Sequence, residues 1–141
     1  MKAPPALARL LLGVRADLAD YARLRELLQE QFDVALRHDS QQMAETAERI
    51  SALTAALEAR RGERVALAAE LLGKDAPVSM QRLVPLVPAP ARAALQDWWQ
   101  TLEALVRECK ALNARNCRLM MDQHEIMQRV LHSEVHTYAP T

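Results

Sequence analysis

The chain has 141 residues, half of them hydrophobic, yet only five are aromatic and three are Gly; a pool dominated by Ala and Leu is that of helices, not sheets. Its 18 basic and 18 acidic residues cancel and stay balanced along the chain, so it lacks the concentrated positive surface that nucleic acid or an anionic membrane demands. The longest apolar runs, around Leu10–Leu12 and Leu83–Val87, fall far short of the roughly 20 residues of a membrane span, and the opening Met-Lys-Ala-Pro-Pro does not lead into a signal peptide; one cytosolic domain over residues 1–141 is expected.

From Leu7, apolar residues recur at alternating steps of four and three through Leu11, Val14, Leu18, Tyr21, Leu28, Phe32 and Ala35, with Arg25 the one break. A period near 3.5 predicts an amphipathic helix with a narrow seam over about residues 5–37, and Pro4 and Pro5 suit its first turn. His38-Asp39-Ser40 supplies a tight turn, with Gln42 at capping-box spacing from Asp39. A second helix, about residues 39–72, carries Met43, Ala47, Ile50, Leu53, Leu57, Leu67 and Leu71 on one stripe. It should stop at Gly73 in a left-handed conformation. Arg60 and Arg64 interrupt the stripe, so looser or wetter packing is expected there.

Residues 73–90 contain Pro77, Pro85, Pro88 and Pro90, which no continuous helix accommodates. The apolar side made by Met80, Leu83, Val84, Leu86 and Val87 predicts a connector with one short helical turn after Ser79, folded over the bundle end. A third helix, about residues 91–136, follows with a seam of Leu95, Trp98, Leu102, Leu105, Cys109, Leu112, Asn116, Leu119, Gln123, Ile126 and Val130. The expected fold is all-α, an antiparallel bundle of three long helices with a short helical turn in the second connector. Cys109 and Cys117 stand about 12 Å apart along the helix axis, too far for an unstrained disulfide; two reduced, core-facing thiols are expected.

Helix lengths then carry the functional expectation. The first two helices are each roughly 50 Å long and the third nearly 70 Å, so the third exhausts its partners near Gln123 and projects from His124 onward. The projecting part is apolar on one broad face, with Ile126, Met127, Val130, Leu131 and Val135. A second stripe runs through Trp99, Val106, Asn113, Met120 and Met127, and methionine surfaces adapt to varied helical ligands. Met120 is equally what closes a bundle, and the terminal cluster has as its lesser alternative a segment that folds back or self-associates in a dimer. Asn113 and Asn116 are either buried groups that set helix register or groups that recognise a partner's backbone.

No chemistry-bearing motif survives inspection. His132 and His136 have the spacing to share an ion, but only Glu134 and His124 lie near them, short of a supported metal site. His124-Glu125-Ile126-Met127-Gln128 begins like a zinc-protease motif, yet Gln128 stands where the second His must be. Glycines at 13, 62 and 73 cannot form a phosphate loop, and the carboxylates are spread along solvated faces. Neither catalysis, metal nor cofactor is expected.

The third helix resembles the FlgN-like flagellar export chaperones. The resemblance is carried by Trp98 or Trp99 with Leu102 and Leu105, by Leu112-Asn113-Ala114-Arg115-Asn116 with Leu119 behind it, and by the closing Thr137-Tyr138-Ala139-Pro140. The hairpin agrees, with Leu27, Leu28, Glu30 and Leu36 before the turn and Leu71-Leu72-Gly73 at its close. The resemblance implies a cytosolic, cofactor-free chaperone that binds the helical C-terminal regions of the hook-filament junction proteins FlgK and FlgL and keeps them from associating before export, with the export gate as a further partner. It also implies cargo binding by the end of the last helix. Asn113, Asn116, Leu119, Met120, Ile126, Met127, Val130, Leu131 and Tyr138 are the expected cargo-binding residues, and an adaptor bundle that homo-oligomerises through its terminal helix is the alternative.

Overall fold

The computed structural model describes residues 5–73 and 79–138, with side chains as far as residue 132. Pro4, Pro77 and the side chains of Glu134, Val135, His136 and Tyr138 lie outside the described residues. Among the described residues all regular structure is helical: α1 (Pro5–Leu36), α2 (Ser40–Leu72), the one-turn α3 (Met80–Leu83) continued by a 3-10 turn (Val84–Leu86), and α4 (Ala89–Tyr138). None of these helices is long and apolar enough to cross a membrane.

Helix α1 is the axis of the bundle. Helices α2 and α4 both pack against it along its length, and their backbones barely approach each other. The seam of α1 therefore has to be wide, and it buries Leu7, Leu10, Val14, Leu24, Leu27, Leu28, Val34 and Ala35, whereas α2 buries only Thr46, Leu57, Leu67 and Ala68. One apolar cluster joins Leu10, Val14, Leu67, Ala68, Leu83 and Leu102; a second, nearer the α1–α2 turn, joins Leu24, Leu28, Leu57 and Cys109.

Between these clusters the packing changes from apolar to ionic. Asp17 is 1% exposed; one carboxylate oxygen accepts from Arg60 Nη1 at 2.7 Å and the other from Arg64 Nη1, while Arg60 also reaches Asp20 at 2.9 Å. Arg64 lies over the Trp99 ring, 5.8 Å from its centroid, and so ties α2 to α4 as well. The break that Arg60 and Arg64 make in the α2 stripe is thus not looser packing but the site of the strongest polar grip on α1, because a charge-assisted pair with a desolvated carboxylate replaces the missing aliphatic contact.

The ends are built by short-range chemistry. At the first turn, His38 N–H reaches the Ala35 carbonyl and Asp39 N–H the Val34 carbonyl. That pattern is a Schellman motif, and it holds His38 at φ 57°, a left-handed conformation that a side chain disfavours. The Asp39 carboxylate then accepts from Gln42 N–H at 3.1 Å and caps α2. Gly73 ends α2 at φ 93°, ψ 151°; this is not the expected left-handed helical cap but an extended conformation open essentially to Gly alone.

In the connector, Ser79 caps α3 through Arg82 N–H. Leu83 joins the main cluster, and Val87 packs with Leu7 and Leu95 to seal that end of the bundle. Arg92 donates to the Val87 and Pro85 carbonyls at 2.9 and 3.2 Å, so α4 holds the connector down. Helix α4 begins at Ala89, two residues before the expected start, because Pro90 falls in the first turn, where a missing N–H costs nothing. Of the two thiols Cys109 is buried as expected, but Cys117 is exposed; a step of eight residues turns the helix by about 80° and carries the second thiol off the seam.

Replacing Asp17 with Ala leaves Arg64, at 18% exposure, without its carboxylate and Arg60, at 24%, with Asp20 alone. Urea unfolding should show a loss of roughly 2–4 kcal/mol at unchanged m-value, somewhat below a fully buried pair because the guanidinium groups still meet solvent. Replacing His38 with Gly should raise stability by roughly 0.5–1 kcal/mol, the relief of the left-handed conformation less the greater freedom of an unfolded glycine, measured as a higher thermal midpoint.

Candidate functional site: the free end of the long helix

The phase of α4 against α1 is set by three side chains spaced seven residues apart. Cys109 Sγ donates to the Tyr21 carbonyl at 3.5 Å, Asn116 Nδ2 to the Leu28 carbonyl at 2.7 Å, and Gln123 Nε2 to the Ala35 carbonyl at 2.9 Å, and each pair is separated by 88 residues. Equal separations at three successive heptads mean that α1 and α4 run in the same direction in a constant register. Burial, reinforced by the Glu108 carboxylate, pushes the Cys109 thiol above its ordinary range, which keeps it in the protonated form that can donate.

Asn116 is the centre of this ladder. Its amide nitrogen also reaches Gln31 Oε1 at 2.9 Å, and its oxygen accepts two bonds from Arg115, both at 3.2 Å. Arg115 in turn stacks on Phe32, 3.7 Å from the ring centroid, and donates to Gln29. Of the four bonds this amide makes, the two donated by its nitrogen cross to α1, and that pair specifies how the two helices align.

The same offset carries Leu36, the last residue of α1, to the level of His124, so nothing of α1 remains to face the rest of α4. Every residue from His124 to His132 is exposed. Ile126, Met127, Val130 and Leu131 are 58%, 57%, 50% and 51% exposed; Val130 continues the row of Cys109, Asn116 and Gln123 that holds α1, Ile126 and Met127 flank it, and Leu131 lies farther round, in line with the exposed Lys110 and Cys117. The overhang from His124 to Tyr138 is roughly 22 Å long, about four turns. Its charges are mixed: Glu125 lies 3.8 Å from Arg129, and no single sign dominates the face.

The expected site residues therefore separate into four groups. Ile126, Met127, Val130 and Leu131 share the free face, with Leu119 and Met120, both half-buried, at its root. Asn116 is a correction: it is 1% exposed with its amide committed to α1, so it presents nothing to a partner. Asn113 is exposed but lies about 20 Å along the axis from Ile126, beside a shallow hollow lined by Tyr21, Leu24, Leu28 and Ile50. The Tyr138 side chain is outside the described residues. Leu36, half exposed at the end of α1, was not anticipated as a site residue; its signal was an apolar side chain one residue past Ala35, off the seam, at the brink of the turn.

No group of three His, Cys, Asp or Glu side chains able to hold a metal ion comes together among the described residues. The hollows between α2 and α4 are open and share Tyr21 as floor, with Arg64 and Trp99 at one end and Ile50 and Asn113 at the other. They offer no enclosed cavity in which a small substrate could be desolvated.

Against known families, a model described as FlgN protein matches residues 1–133. No curated protein and no solved structure matches the chain.

Replacing Asn116 with Ala removes both bonds to α1 and leaves the Gln31 amide to find water. Urea unfolding should lose about 1–2 kcal/mol; an unchanged midpoint would mean that the ladder does not hold the register.

Proposed function

The chain belongs to the FlgN family of flagellar export chaperones, and from that premise we propose that it binds the helical C-terminal regions of the hook-filament junction proteins FlgK and FlgL in the cytosol, before their export. The face formed by Leu119, Met120, Ile126, Met127, Val130 and Leu131 is the cargo-binding surface. The observation that carries this reading is the uncovered run of large aliphatic side chains on an α4 that outlasts α1. Such a strip is a binding surface or a liability, and on a chaperone for amphipathic helices it has a use.

The chemistry required is modest. No bond is made or broken, so no catalytic group or cofactor enters. Covering the exposed half of each of the four terminal aliphatic side chains yields roughly 1 kcal/mol apiece, before the cost of ordering the cargo. That supports a reversible hold that keeps the cargo's apolar face from pairing prematurely and still lets it go. The methionines suit two different cargoes, because an unbranched thioether repacks against unlike partners with little penalty. Asn113 and Asn116 have no part in this proposal, given the burial of one and the distance of the other.

The test is co-purification of the FlgK and FlgL C-terminal segments with the chain carrying Met127→Asp together with Leu131→Asp. Both positions are already half in water, so the helical circular dichroism and melting midpoint should be those of the parent while cargo capture is lost. Capture that survives in the folded double variant overturns the assignment. A chain that light scattering shows as a dimer, keeping the terminal cluster covered when cargo is offered, would favour self-association instead.

A further inference from the structure

The free face of α4 is the continuation of a face that is already occupied. Leu95 packs with Leu7 and Leu102 with Val14; Cys109, Asn116 and Gln123 then bond to Tyr21, Leu28 and Ala35. Val130 is next in this row of heptad positions. Its counterpart along the line of α1 would be residue 42, but by then the chain has turned through Arg37–Asp39 and runs back as α2. The row therefore loses its partner by an abrupt turn of the chain and not by any change in its own character.

The end of α1 is itself apolar and uncovered. Leu36 is 51% exposed and stands level with His124, at the foot of the overhang. A helix lying in line with α1 would meet the α4 face at the phase α1 already uses, and would cover Leu36 with its nearest turn. A helix lying on another side of the overhang would leave Leu36 in water and would have to cross Ile126 and Val130 at a different phase.

We infer that the cargo site is composite: the amphipathic cargo helix sits end to end with α1, packed on the overhang of α4, with one of its ends abutting Leu36 and the turn at Arg37–Asp39. This rests on the proposed function and adds to it a binding residue outside α4, a location for the cargo and a limit on its footprint. The occupant is a single amphipathic helix with apolar residues at steps of three and four, in contact with α4 over about four turns. Continuity with the α1–α4 interface is what selects such an occupant, since the row it would complete already holds a helix of that kind.

The test uses the full chain and the C-terminal helical segment of FlgK as probe. Leu36→Glu should weaken the segment's affinity about tenfold, the loss expected when half a leucine is no longer buried, while Leu12→Glu, at a leucine 64% exposed toward the other end of α1, should leave affinity unchanged. Both variants should keep the parent's melting midpoint. A nitroxide on one end of the bound segment should erase the amide signals of Arg37 to Gln41, and a nitroxide on the opposite end should spare them. Wild-type affinity in Leu36→Glu, equal losses in both variants, or labels that reach the turn from neither end would each overturn the composite site while leaving the proposed function standing. A segment that fails to bind the parent chain, or binds regardless of Met127→Asp with Leu131→Asp, would remove the proposed function and this inference together. A second copy of the chain found covering the overhang would overturn the inference as well.

Discussion

Two parallel helices can slide past each other in steps of a heptad at little cost if their seams are purely aliphatic, and everything at the free end of α4 depends on preventing that. A slip of seven residues would shift the overhang by roughly 10 Å, either burying Ile126 and Val130 against α1 or exposing Leu119 in their place. Asn116 opposes the slip because its amide meets the Gln31 side chain as well as the Leu28 carbonyl, a pairing that a seven-residue shift breaks. Displaced by a heptad toward the connector, Asn116 would lose the Gln31 side chain and meet Leu24 in its place. A buried amide contributes little net stability compared with an aliphatic residue of its size; its value lies in making the alternatives worse. The length of the projecting end is in this sense decided two to three turns before it begins.

The hold of α2 on α1 follows a different logic. Its seam has few buried aliphatic residues and is rich in Ala, so the hairpin relies on Asp17 drawing Arg60 and Arg64 together at mid-length. Burying one carboxylate between two partly solvated guanidinium groups keeps the desolvation cost low on the cationic side, and both carboxylate oxygens are satisfied. With Arg64 also against Trp99, a single α2 residue touches both neighbours, which helps to explain how α2 and α4 can flank α1 with little direct packing between them.

Much of this architecture was legible in the residues. The heptad rows from Leu7 and from Leu95, the prolines between 77 and 90, and the Asp39 cap place the long helices, because amphipathic periodicity and turn chemistry are local properties. The projection beyond Gln123 followed from lengths alone. What stayed hidden was long-range. Asp17 and its arginines are 43 and 47 residues apart, and nothing near Asp17 in sequence announces that it points inward beside Leu18. The two asparagines of Leu-Asn-Ala-Arg-Asn differ in fate by one turn of helix; only Asn116 falls in the row of Cys109 and Gln123, a row visible in the sequence but meaningful only once those positions face carbonyls. Leu36, one residue past the seam position Ala35, is off the seam but carries no local sign of its place in the site, because its half exposure depends on where α4 runs past the turn.

Helix α4 is also unequal at its two ends. One is roofed by the connector, with Leu83 and Val87 buried and Arg92 holding the chain over it; the other is bare. The molecule is thus a shaft with a closed butt and an open tip, and the hollows beside Tyr21 along its side are open ones. On the proposed reading a passenger hangs from the tip, clear of the remaining 50 Å or so of shaft, so one far larger than its carrier meets no steric objection, and a machine that must take it away can approach it from every direction except one.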